Sequence, residues 1–104
     1  MKTMPRRGEF SLATKDRVIR RGVCAECGGE YDPKDPWHIH HIIFIDSVIG
    51  RTLPDWILSC IANAELLHKG CHNHIHNVLD EPTDQDVNRV LQKTGEPIPM
   101  FANR

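Results

Sequence analysis

No stretch of this 104-residue sequence approaches the roughly 20 consecutive apolar residues that a membrane-crossing helix requires. The first 21 residues are polar and basic and lack the apolar segment of a secretory signal peptide. Internal repeats and low-complexity tracts are lacking, which excludes solenoid architectures. No separate DNA-reading unit such as a helix-turn-helix is appended. Net charge is almost absent, at −1. These absences leave a single small domain, expected to be soluble and cytoplasmic, with only a modest apolar core that a metal staple would support.

The near-neutral total conceals an uneven distribution. Residues 1–21 carry seven Lys/Arg against two Asp/Glu, a net of +5, and residues 22–104 carry six against twelve, a net of −6. A basic leading segment can contact phosphate, although an ordinary solvated arm has the same composition. Residues 1–12 read as a flexible basic arm. Residues 13–104 read as one domain, with a core over about 22–80 and a last helix over about 84–93. Histidine is the anomaly: all seven fall between His38 and His76. Such clustering points to metal binding.

The coarse order is helix, Cys knuckle, β-hairpin, helix, helix, an α+β class. Thr14 can cap a helix over Lys15–Arg21 that ends at Gly22. Trp37 to Ile45 is rich in β-branched and aromatic residues and reads as a strand. Trp56 to Ile61 reads as a second, weaker one. Ser47 to Pro54 is a turn. A helix is expected from about Cys71 to Leu79, before Pro82. Thr83 or Asp84 caps the last helix, with Val87, Val90 and Leu91 on one face and Gly95, Pro97 and Pro99 ending it.

Two metal constellations emerge. Cys24 and Cys27 are separated by two residues, as are His68 and Cys71, and thiolate and imidazole in two such pairs suit a closed, tetrahedral structural zinc. Cys60 is a buried, inert thiol or an alternative to His68 as ligand, and a redox pair is the competing reading of Cys24/Cys27. His72 and His76 are four apart, which on a helix stacks both imidazoles on one face, with His74 directed elsewhere. His40 and His41 are adjacent on a strand, so their side chains diverge. If His40 faces the helix as third ligand, the metal keeps open positions for water and substrate, and the free imidazole of His41 suits a general base at neutral pH. His38 lies in strand register with His40 and reads as solvated, with a supporting place behind the metal ligands the alternative, and Trp37 and Trp56 read as core or hairpin packing, with base stacking the alternative.

In order and spacing, the knuckle, the His40-His41 doublet, Asn63, and His72 and His76 nine and thirteen residues later resemble the HNH nuclease family. The lead-in Arg20-Arg21-Gly22-Val23-Cys24 is similar to that of zinc-bearing members, and the resemblance spans about residues 14–78. It implies a ββα-metal (treble-clef) fold and metal-dependent hydrolysis of DNA phosphodiesters that leaves 5′-phosphate and 3′-hydroxyl ends. It further implies His40, His72 and His76 as ligands of a catalytic divalent metal, His41 as general base, and Asn63 as the residue that holds the loop and helps orient the base. Ligand type favours Mn²⁺, Ni²⁺, Co²⁺ or Zn²⁺, while cellular availability leaves Mg²⁺ open.

Three departures from the family pattern stand out. The second zinc pair is His-x-x-Cys rather than Cys-x-x-Cys. The segment from His41 to Asn63 is longer than usual and lacks the Pro after the doublet. The helix after Cys71 lacks the customary Lys/Arg, so Arg20, Arg21, Arg51 and Lys69 are the candidate DNA contacts. One metal centre in a monomer or weak dimer implies nicking, and a small free-standing member suggests a phage or mobile-element product, in a bacterial or phage-infected cell, acting with DNA-packaging or other DNA-processing proteins. The competing readings are a non-catalytic, zinc-stapled nucleic-acid- or protein-binding module and a phosphodiesterase acting on RNA.

Overall fold

The computed structural model describes residues 6–95. The first five residues of the expected arm, and Pro97 and Pro99, lie outside the described residues. In chain order the elements are α1 (Leu12–Ile19), β1 (Trp37–His41), α2 (Val48–Thr52), α3 (Asp55–Leu58), a 3₁₀ turn (Ile61–Asn63), β2 (Ala64–His68), α4 (Lys69–Val78) and α5 (Asp84–Thr94). None of these helices is long and apolar enough to cross a membrane. The α+β class holds.

Strands β1 and β2 form a two-stranded antiparallel sheet in which Trp37 faces His68, His40 faces Glu65 and His41 faces Ala64. Alternation along β1 sends Trp37, Ile39 and His41 to one side and His38 and His40 to the other. On the first side, Trp37 and Ile39 pack on a core of Phe10, Val18, Ala64 and Leu66. The second side of the sheet meets α4, which carries His72 and His76. A separate core joins Ile42, Ile43, Leu53, Ile57 and Leu58 to Val87, Val90 and Leu91 of α5.

Several expectations need correction. The first helix starts at Leu12 rather than Lys15, because the Ser11 side chain accepts from the Thr14 N–H and acts as the cap. Strand β1 stops at His41 rather than Ile45. Beyond it the Ile42 N–H donates to the Asn63 carbonyl, and Ile43 is held by the Asn63 side chain. The expected second strand at Trp56–Ile61 is instead the single turn α3 followed by the 3₁₀ turn. Pro54 enters that turn with helix-compatible φ, and helical geometry buries Ile57 and Leu58 while Trp56 stays half exposed, so Trp56 is not a core residue. The true partner of β1 is Ala64–His68, where Leu66 and Leu67 are both buried on opposite faces; a strand covered on both sides has no polar alternation to reveal it.

Helix α4 begins at Lys69, two residues early, because the Lys69 N–H donates to the Pro36 carbonyl and the Gly70 N–H to Asp35 Oδ1 at 2.8 Å. α5 forms as expected, with Thr83 as cap and Gly95 in the left-handed conformation after its last turn. Residues 6–11 are not a free arm. Arg7 donates to the carbonyls of Gly50 at 2.7 Å and Leu53 at 2.8 Å, and Gly8 and Phe10 are buried. Burial of an aromatic ring of this size contributes roughly 2–3 kcal/mol, enough to tie the segment down.

Candidate metal centres and the adjoining cleft

Sequence positions far apart converge at the first centre. The ligand atoms of Cys24, Cys27, His68 and Cys71 all lie within 4.8 Å of one another. The knuckle that presents the first pair closes through Gly28, whose positive φ lets its N–H reach the Cys24 carbonyl at 2.8 Å, while the Cys24 N–H donates to the Gly29 carbonyl. The Ala25 N–H then pins the knuckle to the Leu66 carbonyl of β2. The second pair straddles the junction of β2 and α4.

The imidazole of His68 is set by its neighbours. Its Nε2–H donates to the Glu30 carbonyl at 2.7 Å, so the Nδ1 lone pair, 3.2 Å from Cys27 Sγ, is the one available to a cation. Trp37 stacks on the ring at 4.8 Å between centroids. Burial raises the Cys24 thiol, but backbone N–H groups of Cys27, His68 and Glu26 outweigh it and lower its pKa below the ordinary thiol value. Burial, then the Cys24 and Cys27 sulfurs, pushes Cys71 up. Three sulfurs and one imidazole crowded in this way fit a structural ion such as zinc, since a cation removes the conflict between neighbouring thiolates. Cys60 is not among these ligands. Its thiol donates to the Ile57 carbonyl instead, so the choice between Cys60 and His68 falls to His68.

His40, His72 and His76 form the second group, again with ligand atoms within 4.8 Å. The helical spacing brings His72 Nε2 and His76 Nε2 to 3.1 Å, and His40 approaches from β1 with ring centroids 5.1 Å from His72 and 5.3 Å from His76. His40 is only 4% exposed, and its Nδ1 is buried without a hydrogen-bond partner. Burial, then the neighbouring His72, His76 and His41, lowers the His40 pKa to about 3, and burial followed by His76, His38 and His41 lowers that of His72 to about 4. Both rings are therefore neutral at pH 7 with lone pairs to give. Three imidazoles gathered in this way, one with an orphaned buried nitrogen, are a donor set that fits a divalent cation. Phe44 packs against His40 and His76 and dries one flank. His74 stays outside the trio, as its helical position requires.

His41 ends β1 and faces away from the trio at its Cα, yet its side chain lines the same cleft of about 400 Å³ as His72 and His76. Its Nε2–H donates to the Gly8 carbonyl at 2.6 Å, and its ring stacks on Phe10 at 4.1 Å between centroids and 12° between planes. A carbonyl can only accept, so the proton sits on Nε2 and Nδ1 carries the basic lone pair. Burial lowers the His41 pKa, and the Gly8 hydrogen bond partly restores it.

Asn63 is wholly buried. Its Oδ1 accepts from the Ile43 N–H at 2.6 Å and its Nδ2 donates to the Ile43 and Leu58 carbonyls, so it fastens the chain beyond β1 and does not bond to His41. Sequence reasoning missed Gly8 and Phe10, which do touch His41, because they lie in the presumed arm. For His38 it left two readings open, solvated or behind the ligands. Rather than being solvated, His38 is half-buried with its Nδ1 3.2 Å from His72 Nδ1. The register shared with His40 was the signal for it.

The candidate phosphate contacts divide. Arg21 donates to the Ala64 carbonyl at 2.8 Å and serves the fold, and Arg20 is paired with Asp16 on the surface at 3.0 Å. Arg51 and Lys69 are exposed. No protein-family model, curated protein or solved structure matches this chain.

Proposed function

We propose that this chain is a metal-dependent DNA endonuclease of the HNH kind, in which β1, β2 and α4 make up a ββα-metal (treble-clef) unit. The observation that carries the reading is the division of labour between adjacent histidines: His40 sits with His72 and His76 in a ligand set, while His41 reaches the same cleft with Nε2 occupied and Nδ1 open. His40, His72 and His76 would hold the divalent cation, which would supply Lewis acidity toward the scissile phosphate and the leaving 3′ oxygen. His41 Nδ1 takes the proton of the attacking water. The water oxygen bonds to phosphorus as the bond to the 3′ oxygen breaks, and that oxygen takes a proton from solvent water, leaving 5′-phosphate and 3′-hydroxyl ends. Asn63 supports this indirectly by holding the chain just past the doublet.

Arg51 and Lys69 offer the exposed cationic groups for phosphate contact, and the Cys/His centre is structural zinc. One catalytic centre makes one cut, so nicking is the activity of a single copy. DNA-processing machinery, such as a phage packaging apparatus, is the class of partner. The test is conversion of supercoiled plasmid to open circles after EDTA treatment and re-addition of Mg²⁺, Mn²⁺, Ni²⁺, Co²⁺ or Zn²⁺. Wild type should nick with at least one of these ions, and His41→Ala should not, while retaining fold and DNA binding. Equal nicking by the variant would sink the assigned mechanism.

One feature favours a second reading, a zinc-stapled binding module without catalysis: Asp46 and Asp80 line the cleft beside His41, and carboxylates repel phosphate. Metal counting separates the two. A single tightly held zinc supports the module, and one zinc plus a second, exchangeable ion supports the enzyme.

A further inference from the structure

Four imidazoles, not three, meet between β1 and α4. His38 and His40 lie two apart on the strand and so share the face toward α4. His40 joins the ligand set, whereas His38 falls outside it and approaches His72 from behind. The two nitrogens of His72 are thereby engaged on opposite sides. Nε2 stands 3.1 Å from His76 Nε2, on the ligand side, and Nδ1 stands 3.2 Å from His38 Nδ1. The two rings are tilted by 54° with centroids 5.2 Å apart, so they meet edge-on through nitrogen rather than by stacking.

Proton bookkeeping then leaves a single arrangement when the centre is loaded. A neutral imidazole has one N–H and one lone pair. If His72 gives its Nε2 lone pair to a cation, its proton must be on Nδ1. That proton points at His38 Nδ1, which accepts only if the proton of His38 is on Nε2. We propose that His38 is the outer-sphere partner of the metal centre: by accepting the Nδ1–H of His72 it fixes the tautomer and ring orientation that turn His72 Nε2 toward the cation shared with His40 and His76. His38 is a positioning residue and not a ligand. Partners of this sort hold ligand rings in place and typically carry about 10- to 100-fold in metal affinity. The inference rests on the divalent-metal reading of the histidine trio.

The test uses the full chain carrying one zinc per molecule, titrated with Ni²⁺ by calorimetry. Wild type should take up a second ion. His38→Ala should bind it about 10- to 100-fold more weakly with the zinc content unchanged. His38→Asn, whose Oδ1 occupies the place of the imidazole Nδ1 and can accept but not replace a ring ligand, should return affinity to within a few-fold of wild type. Long-range ¹H–¹⁵N spectra of wild type with Zn²⁺ in both centres should report His72 as the Nδ1–H tautomer, a readout that decides the matter even if His38→Ala fails to fold. Unchanged Ni²⁺ affinity in His38→Ala, no recovery in a folded His38→Asn, or a protonated Nε2 on metal-loaded His72 would each overturn the proposal. Wild type that binds no second ion would remove the trio reading itself, an outcome distinct from a wild type that binds and a variant that binds equally well.

Discussion

The side chain on which the proposed chemistry turns is held by residues that contribute none of it. His41 has one nitrogen on the Gly8 carbonyl and one ring face on Phe10. Gly8 favours glycine: its φ is +77°, where any side chain is strained, and a Cβ there would stand 3.0 Å from the Ile45 side chain. Phe10 is a core residue as well as a platform, so Phe10→Ala would confound the two roles at a cost of about 3–5 kcal/mol. Phe10→Leu separates them. It keeps an apolar side chain in the core and should cost about 1.5 kcal/mol or less in thermal melts. Loss of the flat platform frees the His41 ring, and the nicking rate should fall on the order of 10-fold, with KM for plasmid little changed. A rate equal to wild type would mean that the Gly8 hydrogen bond alone orients His41.

Among the elements, α4 stands out because none of its residues is buried, although it lies at the centre of both metal groups. Ordinary helices of this length are held by an apolar stripe. α4 instead has Asp35 at its N-terminus, Cys71 in the first centre, and His72 and His76 in the second. Its order should therefore depend on metal. Stripping the protein with a strong chelator should abolish amide-exchange protection across Lys69–Val78 while protection persists in α5, whose Val87, Val90 and Leu91 are buried in an apolar core. Matching loss in both helices would show instead that the metals and the apolar core form one cooperative unit. α5 was legible from its apolar spacing and Thr83 cap because nothing but its own amphipathic pattern was needed. α3 was not, because its four residues carry a strand-like composition that only packing against α5 and the Asn63 turn makes helical.

At the scale of the molecule, two distinct small apolar cores stand beside two side-chain clusters that could each hold a metal ion. A chain of 104 residues with a divided core has little stability in reserve, so what titrates inside it matters. With the metals removed, His40 and His72 resist protonation in the folded state, with pKa values lowered to about 3 and about 4, while the unfolded chain binds protons near the ordinary value of 6.5. Above pH 6.5 neither state takes up these protons and the contribution is constant. As pH falls from 6.5 toward 4 the unfolded state binds more protons, so stability must drop. Melts of chelated protein should show a falling Tm over that window, and His40→Leu, which has nothing to titrate there, should show a shallower fall. An equal slope in wild type and variant would assign the acid sensitivity to other groups. The charge asymmetry of the sequence is also redistributed by the fold: Arg7 and Arg21 bond to backbone carbonyls, and Arg20 pairs with Asp16. These three arginines therefore supply less phosphate-facing charge than their count suggests.

The sequence alone pointed to the Cys24/Cys27 and His72/His76 pairs as candidate ligands, because zinc-knuckle spacing and the i,i+4 histidine pair are local properties of a turn and a helix. It determined α5 and the start of β1 for the same reason. Only the tertiary structure decided which strand pairs with β1, that His68 rather than Cys60 completes the Cys/His centre, that Gly8 and Phe10 hold His41, and that His38 stands behind His72. Apart from the local His68–Cys71 step, each of these joins residues more than twenty positions apart, where no local periodicity or propensity acts and the outcome depends on burial and on which polar atoms are left to pair.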